Sequence, residues 1–223
     1  WGTGTKLEAS DGVAGDLFGH DMGVSISGSY AIIGAKNHDA NGANSGSAYI
    51  FERVSTGNWG TGTKLLASDG VAGDTFGSSV SISGSYAIIG APGVVMGGVT
   101  GAGAAYIFER ASVGNWGVGT KFVESITYAY NGFGGTVSIS GTYVAIGGYG
   151  TEGAYIYERV SAGDWGTVTK IVSSEIGATR NDLFGAAVAI SNTHIIIGAS
   201  RTNDNGASSS GSAFVYKRVS AGN

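Results

Sequence analysis

The chain has 223 residues, enough for one sizeable all-β domain or two small ones. It has no cysteine, a formal net charge of −4 and only 13% charged residues. This excludes disulfides, thiolate metal sites and the basic footprint of a nucleic-acid or anionic-membrane binder. Its 42 glycines far exceed the usual share of about 7%, but they follow no triplet period, so a collagen-like chain is excluded as well.

Taken in order, the chain is a set of copies. The opening WGTGTKLEASDGVAGDLFG returns from Trp59 as WGTGTKLLASDGVAGDTFG, changed only at Glu8/Leu66 and Leu17/Thr75. Further copies begin at Trp116 and Trp165, so the tryptophans mark the repeat starts. A period of roughly 50 to 60 residues indicates a propeller or a solenoid. In the second copy the turn signals bound four predicted strands: d over 63–68, a over 76–83, b over 86–91 and c over 105–110. Strand a alternates, with Val80 and Ile82 on one side and Ser79, Ser81 and Ser83 on the other. Strand b, YAIIGA, is apolar throughout, as in a sheet covered on both faces. Strand c ends in Glu109 and Arg110, which must point to opposite faces. Four short antiparallel strands per repeat, with no capped helix, make a propeller blade. The expected fold is an all-β β-propeller of four-stranded blades, one domain over 1–223 with repeats starting at about 1, 59, 116 and 165.

The copies hold register. Phe-Gly pairs fall at Phe18, Phe76, Phe133 and Phe184, and the strand-c ends are Glu52-Arg53, Glu109-Arg110, Glu158-Arg159 and Lys217-Arg218. Arginine-to-phenylalanine spacings are 23, 23 and 25 residues, and running on from Asn223 to Trp1 gives 23 again. Two readings follow: the N-terminal strand completes the last blade as a clasp, or the chain is one unit of a longer tandem array. Pairing of two chains into an eight-bladed ring is the structural alternative to a four-bladed one.

The order Phe-Gly, SVSISG, YAIIGAP and GAAYIFE resembles the FG-GAP repeat, found in the propeller of integrin α-subunits and in many bacterial and algal surface proteins. The resemblance covers all four copies, although Gly-Ala-Pro itself stands only at Gly90-Ala91-Pro92. It implies a propeller placed outside the cell or at its surface. Composition poor in charge and rich in Gly, Ser, Thr and Asn points the same way. Integrin-like members typically have seven blades, whereas this chain supplies four. The resemblance also implies calcium in an Asp-rich loop between strands a and b. Here those loops read SGSY, SGSY, SGTY and SNTH, without a carboxylate, so that site is not carried over.

Two other loops have oxygen ligands: Asn37, Asp39 and Asn41 before Gly42, and Asn203, Asp204 and Asn205 before Gly206. Neither has the closing bidentate Glu of a calcium loop, and both read as Asx turns, so no cofactor is expected. The recurring DGVAGD, with its paired carboxylates, reads as a turn closed by side-chain-to-backbone bonds. His20, His38 and His194 lie in three different loop types, no serine sits in a nucleophile elbow, and no glycine-rich segment opens a helix. No catalytic residue is assigned, and the chain is not read as an enzyme.

In an up-and-down blade the a–b and c–d turns share one end and the b–c and d–a loops the other. The first end is nearly uniform between copies; the second is individual, as binding loops on a rigid scaffold are. The first copy has two extra residues after its Phe-Gly, bringing in His20 and Asp21. The third replaces DGVAGD with TYAYNGFGG, bringing in Tyr128 and Tyr130, and its short b–c loop carries Tyr149. These five residues break the repeat. Exposed aromatics suit sugar or peptide stacking; tyrosine can also cover a core defect left by a shortened loop. The leading reading is a non-catalytic extracellular binding or adhesion module for a glycan or protein ligand. The alternative is a structural unit of a fibre or surface layer, with copies of itself as partners.

Overall fold

Alternating SVSIS, a tight SGSY turn and an apolar YAIIGA run specify an antiparallel hairpin, and each copy forms one. A computed structural model describes residues 2–125, 129–151, 153–176, 182–203 and 208–219. The first blade contains β1 (Val24–Ser27), β2 (Tyr30–Ala35), β3 (Ser47–Glu52) and β4 (Thr63–Leu65), in that spatial order. The second contains β5 (Ser79–Ser83), β6 (Tyr86–Ala91), β7 (Ala104–Glu109) and β8 (Thr120–Phe122). The third contains β9 (Thr136–Ser140), β10 (Tyr143–Gly147), β11 (Gly153–Glu158) and β12 (Thr169–Val172). In the fourth, β13 (Phe184–Ile190), β14 (His194–Ala199) and β15 (Ser212–Lys217) form a three-stranded sheet among the described residues. Among them helix is confined to short 3₁₀ turns, such as that at Ser173–Ile176. The fold is all-β, with antiparallel blades of the propeller type.

The core lies between blades. Ile32, Ile50 and Leu65 of the first pack on Val80, Ile82 and Ile89 of the second. Ile88, Ile107 and Phe122 of the second pack on Val137, Ile139 and Ile146 of the third. The inner strands β1, β5, β9 and β13 follow one another side by side. Their serines join them: the Oγ of Ser81 accepts the amide of Ile139 at 3.1 Å, and that of Ser138 accepts the amide of Ile190 at 3.1 Å. The signature glycines explain themselves at the tightest approach. A Cβ on Gly90 would collide with the carbonyl oxygen of Gly134 in the next blade, whose own φ is +84°. Both positions therefore require glycine.

Among the described residues the N-terminal segment does not pair with the fourth blade. The N-terminal segment stays on the first blade, where the Thr5 hydroxyl donates to Gly57 O at 3.3 Å. Leu7 and Ala9 pack with Phe18 and Trp59 against Ile33, Tyr49 and Phe51. No other described blade covers that face of the first blade, and these apolar side chains cover it in part. Among the described residues no packing like that between successive inner strands joins β13 to β1, and the described blades form an open arc.

Candidate binding face

The d–a loops are built by their own carboxylates. Asp16 accepts the amide of Val13 at 2.8 Å and Asp74 that of Val71 at 2.9 Å, closing equivalent turns. Asp11 accepts from the Tyr49 hydroxyl at 2.6 Å and the Lys64 ammonium at 2.7 Å. Asp69 repeats this with Tyr106 at 2.8 Å and Lys121 at 2.6 Å. The Lys64 and then the Tyr49 hydrogen bonds hold the Asp11 carboxyl down at about 2. Burial, reinforced by Asp11, pushes the Tyr49 hydroxyl up to about 12. These hydrogen bonds tie the carboxylates into the scaffold, which fits the turn reading of DGVAGD.

Of the weak calcium candidates, the Asp39 side chain is likewise engaged locally. The Asp39 carboxylate accepts the Asn44 amide at 2.8 Å, and the Asn41 backbone amide donates to Ser45 Oγ at 2.8 Å. Asp204 lies outside the described residues. Among the described residues no three His, Cys, Asp or Glu side chains gather as a metal site.

The repeat-breaking residues fall into two groups. His20 is half-buried, and its Nε2 donates to Gly77 O at 3.0 Å, tying the first blade to the second. Burial lowers its pKa despite that bond. Asp21 beside it is exposed. Tyr130 and Tyr149 belong to the third blade's two loops, which are hydrogen-bonded through Gly150 N to Asn131 O at 2.9 Å. Tyr149 packs along the backbone of Gly132 and Gly135, yet remains 51% exposed, and Tyr130 is 75% exposed. Tyr130 has φ +59°, and its amide donates to Thr100 O of the second blade at 2.9 Å. The fold thus brings Tyr130 and Tyr149 onto one loop pair and holds His20 and Asp21 at a different blade junction. Tyr128 lies outside the described residues.

The model of the FG-GAP repeat matches residues 1–51, 59–108 and 165–216, more than half of the chain. The chain belongs to the FG-GAP repeat family. A comparison with curated proteins gives no match. The third repeat of this FG-GAP chain lies largely outside the matched segments, yet it forms the same blade. Its loop changes spare the strand pattern that makes the sheet.

The uniform end of this FG-GAP arc has a feature that sequence reasoning missed. A cleft of about 870 Å³ opens between the third and fourth blades, lined by Tyr143, Glu158, Ile171, Ile195 and Arg218 among others. At the two preceding junctions a tryptophan fills the matching place. Trp116 meets Tyr30 edge-on with centroids 5.7 Å apart, and Trp165 meets Tyr86 at 5.6 Å. Each is the tryptophan of the later blade set on the tyrosine of the earlier one. The regular recurrence of tryptophan before strand d was the available signal, but spacing alone does not say which tyrosine receives it.

Proposed function

We propose that this FG-GAP chain is a non-catalytic binding or adhesion module, acting outside the cell or at its surface, that presents its individual loops to a glycan or protein ligand. The observation that carries this reading is Tyr130: a bulky residue in a left-handed backbone conformation that leaves its ring in solvent. Such a conformation costs a non-glycine residue of order 1–3 kcal/mol, and the first two repeats place a glycine there, Gly15 at φ +97° and Gly73 at φ +86°. With Tyr149 on the adjoining loop it offers aromatic faces that complement the apolar face of a sugar ring. In this reading neither a cofactor nor bound calcium takes part, and neither nucleic acid nor a membrane is a partner.

A glycan array with the intact chain tests it. Tyr130→Ala and Tyr149→Ala should each weaken binding of a hit by about 1 kcal/mol or more, roughly fivefold. Trp59→Ala, at the opposite end of the blade, should leave binding unchanged. A ligand that is indifferent to both tyrosines but lost with Trp59 would overturn the assignment. The second reading, a structural repeat unit, is favoured by one observation: the arc ends in open blade faces.

A further inference from the structure

Among the described residues the fourth blade shows no outer strand, while a segment with an outer-strand sequence stands unpaired on the first blade. The strands β4, β8 and β12 read TKL, TKF and TKIV. Each pairs with the third strand of its blade in one register. In the first blade this sets Ala48 opposite Leu65, Tyr49 opposite Lys64 and Ile50 opposite Thr63. The second and third blades repeat it. Thr5, Lys6 and Leu7 have the same sequence but belong to no sheet, while β15 has β14 as its single strand partner among the described residues.

Four further halves of contacts stand open among the described residues. The tryptophan-shaped place between the third and fourth blades is a cleft. At the preceding junction Glu109 accepts from the Trp165 indole at 3.2 Å and the Gly163 amide at 3.1 Å. Its equivalent, Glu158, has a side chain 61% exposed, against 25% for Glu109. The forward face of the fourth blade exposes Ile196 (42%) and Val215 (64%), whereas the equivalent Ile88 and Ile107 are fully buried. The rear face of the first blade exposes Val24 (58%) and Ile26 (66%), whereas Val80 and Ile82 are buried.

We propose that a second copy of this chain supplies these parts: its segment Trp1–Leu7 adds to the outer edge of β15, and its first blade packs on the fourth. The register follows from the other blades: Ala213 faces Leu7, Phe214 faces Lys6 and Val215 faces Thr5. Trp1, four residues before Thr5 as Trp59 is before Thr63, enters the cleft onto Tyr143 and Glu158. The interface continues one already used between every pair of successive blades, so its complementarity is built into the repeat. The two surfaces are different, which makes the contact head-to-tail; it closes into a ring of two copies or extends into a fibre. Strand addition to an exposed edge supplies the main-chain bonds, and the tryptophan supplies the specificity.

The chain has no native cysteine, so a crosslink reads the register directly. Thr5→Cys combined with Val215→Cys places thiols at facing, exposed positions. Mild oxidation should give covalent dimers or a ladder of 22.3 kDa steps on a denaturing gel. An out-of-register pair, Thr3→Cys with Val215→Cys, should crosslink at least tenfold less. In light scattering the parent chain should gain mass with concentration, and Trp1→Ala should raise the concentration required at least tenfold. A crosslink confined within single chains would show that the segment closes its own ring and would overturn the proposal. So would a concentration-independent monomer, or equal crosslinking of both cysteine pairs.

Discussion

The second and third blades and the two end blades have nearly the same sequence and different surroundings. Ile88 in the second blade is sealed by the third, while Ile196, at the same place in the fourth, is exposed. Phe76, Phe133 and Phe184 are buried beneath a preceding blade, and Phe18, which has none, is half-buried. The repeat thus dictates the blade, and the neighbouring blade dictates the burial. Stability in such a chain is a sum of blade and interface contributions, so equivalent substitutions should have unequal costs.

The largest contrast should come from tryptophan. Trp165→Ala removes a ring buried between two blades and bonded to Glu109, and is expected to cost about 3–5 kcal/mol. Trp59→Ala, at the uncovered rear of the first blade, is expected to cost less than half as much. Denaturant titration of the two variants measures this, and equal losses would break the comparison. Next comes the aliphatic pair: Ile88→Ala should cost about 2–5 kcal/mol, and Ile196→Ala below about 1 kcal/mol while its face is open. The glutamates sharpen the contrast in polar terms. Glu109→Gln weakens bonds to Arg159, Trp165 and Gly163 and should cost about 1–2 kcal/mol. The same change at Glu158 should stay within about 0.5 kcal/mol.

The smallest effect is the pH dependence at Asp11. Its carboxyl titrates at about 2 in the folded chain, below the usual value of about 3.9 in an unfolded one. The unfolded state therefore takes up its proton first, and the stability due to Asp11 is full above about pH 4. It fades as pH falls through about 2. Because Asp11 is exposed, the effect should be about 1 kcal/mol or less. Asp11→Asn should be less stable than the parent at pH 6 and converge with it near pH 2. A gap that persists or widens in acid would contradict the Lys64–Asp11–Tyr49 arrangement.

Most of the blade was legible because its signals are local. Period-two alternation in SVSIS, the apolar YAIIGA and the turn between them each determine a few neighbouring residues. The binding-face candidates were legible for the opposite reason: Tyr130 and Tyr149 stand out by breaking the pattern, and the loop pair that joins them follows from strand direction. What stayed hidden depends on a second blade. Ser81 and Ser138 read as a polar face of an alternating strand, and alternation does not distinguish water from the amide of the next inner strand. His20 read as a residue that breaks the repeat, and its bond to Gly77 depends on how closely two blades approach. The clasp and the tandem unit stayed undivided because a spacing of 23 residues matches an N-terminal strand to a blade edge without saying whose edge it is.

Hydrogen exchange on the chain held dilute tests most directly whether the arc is open. The account predicts that the amides of β6 and β10, sealed between blades, exchange slowest. Those of β1 and β15 should exchange orders of magnitude faster. Comparable protection of β1, β6, β10 and β15 in the dilute chain would mean that the first and fourth blades already cover each other, and would contradict the open arc.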